Sequence, residues 1–238
     1  MSDPWVVAVD GGVASGKTTV AFEIAERLGA LAFDTGIIYR ALAWLALHRQ
    51  VAPDDAAALS ALASEIRIES RPSDSGRSRR VRVLAAGRDV TDLLHTLEVE
   101  RIVPAVAGHP RVRAALLAPQ RQAVQGESAV VAGRDMGSTV FPTATLKVYL
   151  IASAQERARR RSKQRAGDSP EFQEVLRAIL QRDQTDARQS APAADAVPID
   201  TEHLTVTQVV DQIVQLLRVR TGGDDAGASA RGAGSPLA

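Results

Sequence analysis

The residues best suited to chemistry lie near the start of the chain, where residues 11–18 read Gly-Gly-Val-Ala-Ser-Gly-Lys-Thr. The Gly-x4-Gly-Lys-[Ser/Thr] spacing is that of a phosphate-binding loop, in which backbone N–H groups point inward around a phosphate. Lys17 would bridge the outer phosphates of a nucleotide, and the Thr18 hydroxyl would bind Mg²⁺. The alternative is a glycine-rich turn that matches by chance. The predicted nucleotide-binding residues are Gly11, Gly12, Val13, Ala14, Ser15, Gly16, Lys17, Thr18 and Thr19.

The segments on either side of this loop predict how it is held. An apolar run over residues 5–9 precedes the loop and reads as a buried strand, and Val20, Ile24 and Leu28 follow it at helical spacing. Strand, loop and helix therefore occur in the order that phosphate binding needs. The N-terminus of the helix would add partial positive charge beside the phosphate.

Composition limits the class of protein. The 238 residues carry a formal net charge of +1, 45% hydrophobic residues and no cysteine. We therefore expect no disulfide, no zinc–thiolate site and no strong global attraction to nucleic acid or acidic membrane. No signal-peptide pattern precedes the first strand, and no apolar run approaches the length of a membrane span. We expect a monomeric, cytoplasmic protein without a membrane or stable nucleic-acid partner.

Short apolar strands alternate with helical patterns, which predicts an α/β fold with a central parallel sheet covered on both faces. The predicted later core strands are 31–33, 129–132, 146–151 and 196–199, and the predicted helices are 39–50, 97–107, 110–126, 154–164, 171–188 and 205–218. Segments 66–69 and 81–84 read as half-exposed antiparallel strands. They predict a small β-containing subdomain inserted at about 39–107, between core segments 1–38 and 108–221. Residues 222–238 have almost nothing to bury and are expected to form a disordered tail.

Two groups of cations point to phosphate binding beyond the loop. Six cations occupy residues 157–165 with no acid among them, which predicts a basic lid at about 155–170. The alternative is a solvated basic helix face. The second group is Arg40, Arg113, Arg134, Arg182 and Arg188. Arginine binds phosphate bidentately and keeps its charge when desolvated, so this set predicts a second anionic substrate. A nucleoside monophosphate would need no general base, because its attacking oxygen is already ionised.

Several further motifs stand out: Asp-Thr-Gly-Ile-Ile-Tyr-Arg at 34–40, His-Pro-Arg-Val-Arg at 109–113, Gly-Arg-Asp-Met-Gly at 133–137, Phe-Pro at 141–142, the Glu-Arg run at 156–161, Arg-Asp at 182–183 with Asp186, Ala-Asp-Ala at 194–196 and Ile-Asp-Thr at 199–201. Together they resemble the motifs of the bacterial cytidylate kinase family, and the resemblance covers residues 4–218. The resemblance implies a three-layer P-loop NTPase fold with a central parallel sheet, an inserted monophosphate-binding subdomain and a basic lid. It also implies Mg²⁺-dependent phosphorylation of CMP and dCMP by ATP in pyrimidine nucleotide metabolism.

The resemblance also implies roles for individual residues. Thr35 and Arg40 would contact the monophosphate, Asp186 would accept a hydrogen bond from the ribose, and Arg113 with Asp135 would read the base. The residues implied in catalysis are Lys17, Arg134, Arg157, Arg182 and Arg188, and those added to the ATP site are Arg157 and Arg161.

The base assignment has a physical reason. Cytosine offers an amino donor that a carboxylate can accept, whereas uracil has an oxygen there, which an ionised Asp135 would repel.

The chain departs from the family pattern at two places. Pro104 stands where the family commonly has a base-contacting serine, and proline offers neither a hydroxyl nor a backbone N–H. We therefore expect one base contact to be lost or moved, weaker discrimination against UMP, and a kink in the helix. The segment between Asp186 and Ala194 is shorter than usual, so the match of Arg188 requires a gap.

Two other functions stay open at this point. A related kinase acting on a hydroxyl metabolite such as shikimate would need a carboxylate base and no nucleobase reader. A nucleotide-binding regulator without turnover would need no second phosphate site.

Overall fold

A computed structural model of the protein describes residues 3–164, 172–186 and 191–222. Within these ranges eight strands run β1 Val6–Gly11, β2 Leu31–Asp34, β3 Ile66–Pro72, β4 Arg79–Ala85, β5 Arg88–Asp89, β6 Ala129–Ala132, β7 Leu146–Ile151 and β8 Val197–Asp200. The α-helices described are α1 Lys17–Leu28, α2 Gly36–His48, α3 Ala56–Leu62, α4 Leu97–Gly108, α5 Pro110–Gln122, α6 Ala154–Gln164, α7 Phe172–Asp186 and α8 Val206–Thr221.

All the strands belong to one sheet in the order β3-β4-β2-β6-β1-β7-β8, with β5 beside β4. Strands β2, β6, β1, β7 and β8 pair in parallel, and β1 lies at the centre between β6 and β7. Because parallel strands end at the same edge, the loops after β1, β2, β6 and β7 meet at the carboxyl edge of the sheet. This finding confirms the predicted α/β class with a mostly parallel central sheet.

Side-chain alternation along the strands produces three layers. On β1, Val7 and Val9 pack with α1 and α8 on one face, whereas Ala8 points to the other face. That second face carries Phe33 and Val131 and packs against Met136. The sheet is therefore covered on both sides, which explains why its central strands are mostly apolar.

The strands expected in the inserted region extend the central sheet instead of forming a separate one. β3 and β4 are antiparallel over Ile66–Pro72 and Arg79–Ala85, and β4 joins β2 in parallel through Leu31 and Ala32. Helices α2, α3, α4 and α5 cover this part through a shared apolar cluster. The limits of the subdomain, 39–107, stay a prediction.

Most elements match the predicted ones within a few residues, and β6, β7 and α6 have the predicted limits. Helix α2 begins three residues before the predicted start, at Gly36, because the Asp34 carboxylate accepts a hydrogen bond from the Gly36 N–H. Helix α3 was not predicted; Asp55 caps it by accepting from the N–H groups of Ala57 and Ala58. Helix α4 continues through Pro104 to Gly108.

Candidate active site

The loop after β1 forms the centre of the site. Two of its glycines are required by the backbone, since Gly16 has φ 91° and a Cβ at Gly11 would lie 2.6 Å from the carbonyl oxygen of Leu150. Ala14 also has a positive φ, 60°, which L-residues other than asparagine and aspartate rarely adopt. The Ser15 hydroxyl is buried and has no hydrogen-bond partner among the described residues. A curled loop that ends at a helix N-terminus and holds an unpaired buried donor suits a phosphate.

Lys17 folds back over this loop. Its ammonium group donates to the carbonyl oxygen of Gly12 at 2.6 Å. Burial lowers the pKa of Lys17 to about 8, and the nearby Asp34 carboxylate partly offsets that effect. A polyphosphate in the loop would favour the charged form of this amine and oppose the effect of burial on its pKa.

Asp34, at the end of β2, ties the loop to the start of α2. Its carboxylate accepts from the Thr18 hydroxyl at 2.6 Å and from the Gly36 N–H at 2.9 Å. The same carboxylate therefore binds the first N–H of α2 and orients the Thr18 hydroxyl of the loop. Hard oxygen donors of this kind suit Mg²⁺, so the pair of Thr18 and Asp34 fits the expected metal. No cluster of three or more histidine or acidic side chains that could hold a metal occurs in residues 3–164, 172–186 and 191–222.

A buried carboxylate at the end of β1 positions the Gly-Arg-Asp-Met-Gly motif. Asp10 is 3% exposed and accepts from the N–H groups of Met136 and Gly137, each at 2.8 Å. Burial raises the pKa of Asp10, whereas the two backbone donors act to lower it. The neighbouring Gly133 leaves no room for a Cβ, which would lie 2.5 Å from a Met136 side-chain atom. The motif is thus fixed directly beside the loop.

Four arginines and the loop line one cavity of about 460 Å³, which we call the arginine cavity. Arg40 comes from α2, Arg134 from the loop after β6, Arg161 from α6 and Arg182 from α7. The Nε of Arg40 is buried and has no hydrogen-bond partner in the described part of the chain. The remaining walls include Val13, Glu100, Pro104 and Glu174. Cations from four separate segments converge here, as a phosphate site requires.

A second cavity, of about 550 Å³, lies around Arg113 and Asp135 and is called the base cavity. The Arg113 guanidinium donates to the Asp135 carboxylate at 2.5 Å and lies 5.5 Å from the centre of the Tyr39 ring. Asp135 is only 6% exposed, so this ion pair is held rigidly. Pro104 belongs to the wall of the arginine cavity, not to that of the base cavity.

The basic side chains of α6 contact several different partners. Arg157 is 7% exposed and forms a bidentate pair with Asp183 of α7 at 3.0 and 2.6 Å. It also donates to the carbonyl oxygen of Val13 in the loop at 3.2 Å. Arg159 pairs with Glu156 on the surface. The helix face is therefore not uniformly solvated, because Arg157 and Arg161 both point toward the loop and its cavities.

A third cavity, of about 520 Å³, lies on the far side of the loop and contains Ala14, Ser15, Gly16 and Thr19. Arg160 borders it, donating to the Thr201 hydroxyl at 3.0 Å and to the Thr201 carbonyl at 2.5 Å. We call it the Thr201 cavity. The loop thus separates a chamber on the α8 side from the arginine cavity.

Some predicted site residues are not placed in these cavities. Thr35 is 2% exposed and its hydroxyl donates to the carbonyl oxygen of Ala132, beneath the site. Arg188 lies outside the described residues, as do 165–170 of the expected lid and 223–238 of the expected tail. The side chain of Asp186, at the end of α7, is likewise not described. Their roles stay predictions.

Comparison with known proteins identifies the family. The model of the family described as cytidylate kinase matches residues 7–219. The chain belongs to the cytidylate kinase family. It is 43% identical over 217 residues to a cytidylate kinase of Roseiflexus castenholzii, covering 90% of this chain and 94% of the relative. It is 40% identical over 222 residues to a cytidylate kinase of Geobacillus sp., covering 91% and 97%.

Among solved structures, an uncharacterized protein from Eubacterium ventriosum is similar with a TM-score of 0.50 and 11% identity, covering 90% of this chain and 98% of that chain. At this identity the likeness concerns the fold alone. No helix in the described ranges is both long and apolar enough to cross a bilayer.

Sequence reasoning missed several residues that shape the site. Asp10 follows an apolar run and carries no motif signal, yet it holds the Gly-Arg-Asp-Met-Gly segment in place. Lys147 on β7 is 8% exposed, and its ammonium group pairs with the Asp195 carboxylate at 2.9 Å. This ion pair holds the segment that follows Ala191 and Pro192, two residues that line the base cavity. Glu100 could have been noticed, because it stands one helical turn before Pro104 on the same face.

Proposed function

We propose that this member of the cytidylate kinase family transfers the γ-phosphoryl group of ATP directly to the phosphate of CMP or dCMP. Consecutive residues carry the proposal: Arg134 faces the arginine cavity beside the loop, whereas Asp135 faces the base cavity with Arg113. A short rigid segment can therefore hold the phosphate and the base of one nucleotide at once. The family match and the named relatives support ATP as donor and CMP or dCMP as acceptor.

In the proposed step, an oxygen of the CMP phosphate attacks the γ-phosphorus of ATP. A new phosphorus–oxygen bond forms while the bond to the oxygen bridging the β- and γ-phosphates breaks, and ADP leaves with that electron pair. Lys17, Arg134 and Arg182 would neutralise the charge on the transferring group, and Arg157 would keep the loop closed against α7. No side chain needs to remove a proton, because the attacking oxygen is already ionised.

Mg²⁺ would be held by the hydroxyl of Thr18, whose orientation Asp34 sets through the 2.6 Å hydrogen bond. When bound, the ion supplies charge neutralisation on the phosphates of ATP. We further propose that the protein acts as a monomer in the cytoplasm, in pyrimidine nucleotide metabolism. Arginines from α2, α6 and α7 of one chain already meet in the arginine cavity, which supports the monomer.

The decisive experiment is an assay of ADP release with Mg²⁺–ATP over a panel of CMP, dCMP, UMP, AMP, GMP and shikimate. We expect turnover with CMP and dCMP and little with AMP or GMP. Activity on shikimate alone would favour the kinase of a hydroxyl metabolite. ATP binding without turnover on any acceptor would favour the regulator, and either result would reject the proposed reaction.

A further inference from the structure

A carboxylate lies in the arginine cavity, where a phosphate is expected to bind. Glu100, in the first turn of α4, lines this cavity together with Pro104 four residues later. Glu98 belongs to the same helical turn and is likewise exposed, but it does not line the cavity. The two glutamates therefore have the same relation to the helix dipole and differ in what they face.

Glu100 is close enough to attract Arg40 but does not accept a hydrogen bond from it. The nearest charged atoms, Nη2 of Arg40 and Oε1 of Glu100, are 3.9 Å apart, which is beyond hydrogen-bonding distance. The side chains are 28% and 40% exposed, so solvent weakens the attraction. Within the described residues the buried Nε of Arg40 has no acceptor. Arg40 thus keeps donors for an incoming oxyanion.

The charges around the cavity match a monophosphate. Four arginines and two glutamates, Glu100 and Glu174, line it, so these six side chains carry a net charge of +2. A phosphate monoester carries about −1.5 to −2 at neutral pH. A phosphate bound by Arg40 would lie near the Glu100 carboxylate, and the two negative charges would repel each other.

We propose that Glu100 is the resident counter-ion of Arg40 and that it weakens binding of the monophosphate by competing for that arginine. The inference rests on the proposed function, in which the arginine cavity receives the phosphate of CMP. Glu100 thereby sets the affinity for the acceptor without entering the phosphoryl transfer, and the same repulsion favours release of the product CDP.

The test compares Glu100→Gln with the matched control Glu98→Gln in the full-length protein. Glutamine keeps the size of the side chain and removes the charge. We expect Glu100→Gln to lower the Kd and KM for CMP about three- to fivefold, with the KM for ATP unchanged. Glu98→Gln should leave the Kd for CMP, the KM for CMP and the KM for ATP within about twofold of the parent values. The gain should shrink as salt is raised from about 0.05 M to about 0.5 M, because screening weakens the repulsion.

A double-mutant cycle shows whether Glu100 acts through Arg40. In an Arg40→Met background, Glu100→Gln should lower the Kd for CMP by a smaller factor than in the parent protein, because only the direct repulsion between Glu100 and the phosphate is left. An unchanged or raised Kd in the single variant would overturn the inference, and so would an equal gain in the Arg40→Met background. These outcomes leave the proposed function intact when the parent protein turns over CMP. Failure of the parent to bind or phosphorylate CMP would instead reject the function, and this inference with it.

Discussion

Binding of ATP should be coupled to protonation of Lys17. In the ligand-free protein, burial lowers the pKa of this amine to about 8 from its ordinary value of 10.5. A triphosphate in the loop favours the charged form and should return the pKa toward 10.5 or above. Binding should then take up about 0.1 proton at pH 7, about 0.5 at pH 8 and about 0.9 at pH 9.

The sign follows from which state holds the proton. Because ATP-bound protein keeps the Lys17 proton to higher pH than free protein, ATP affinity should be nearly constant below pH 7. It should fall above pH 8, approaching about tenfold per pH unit. ATP itself contributes little there, since the last ionisation of a phosphate lies near pH 6.

The assay is calorimetric titration with Mg²⁺–ATP at pH 8 in buffers of different ionisation enthalpy. The slope of the observed enthalpy against the buffer enthalpy gives the number of protons, expected to be about 0.5. Lys17→Arg is the control, because a guanidinium stays charged throughout this range and should give a slope near zero. A slope near zero in the parent protein, or an equal slope in Lys17→Arg, would refute the coupling.

Three further predictions concern neighbouring residues. Asp135→Ala should lower the ratio of kcat/KM for CMP to that for UMP at least about tenfold, because the acceptor for the cytosine amino group is removed; an unchanged ratio would remove Asp135 as the base reader. Thr18→Val should raise the Mg²⁺ concentration needed for half-maximal rate about tenfold or more, whereas Thr19→Val, at an exposed neighbour, should not; equal Mg²⁺ dependence in the two variants would contradict the metal assignment. Asp10→Ala leaves two buried N–H groups without their acceptor, so the free energy of unfolding in urea should fall by about 2–5 kcal/mol; a loss under about 1 kcal/mol would show that Asp10 does not hold the motif.

The local sequence determined much of the fold, because the signals concerned are short in range. The glycine spacing predicts a strand before the loop and a helix after it. The structure has β1 and α1 at these two places. Apolar runs of strand length, such as residues 129–132, could be located because burial on both faces demands continuous apolar sequence. The motifs at 34–40 and 133–137 also carried the family assignment, which the family match confirms.

Tertiary structure alone decided which charges meet. Arg40 and Glu100 are 60 positions apart in the chain, and nothing in the sequence around either residue indicates that α2 and α4 bring them to 3.9 Å. Likewise, Asp10 is buried against the backbone of Met136 and Gly137, so its role depends on the pairing of β1 with β6. The hydrophobic periodicity of a sequence indicates which face of a helix or strand is buried. Which charged side chains become neighbours depends instead on how separate helices and strands pack. The sequence therefore identified a phosphate loop and the cations around it, and the packing showed which of those cations already face an anion.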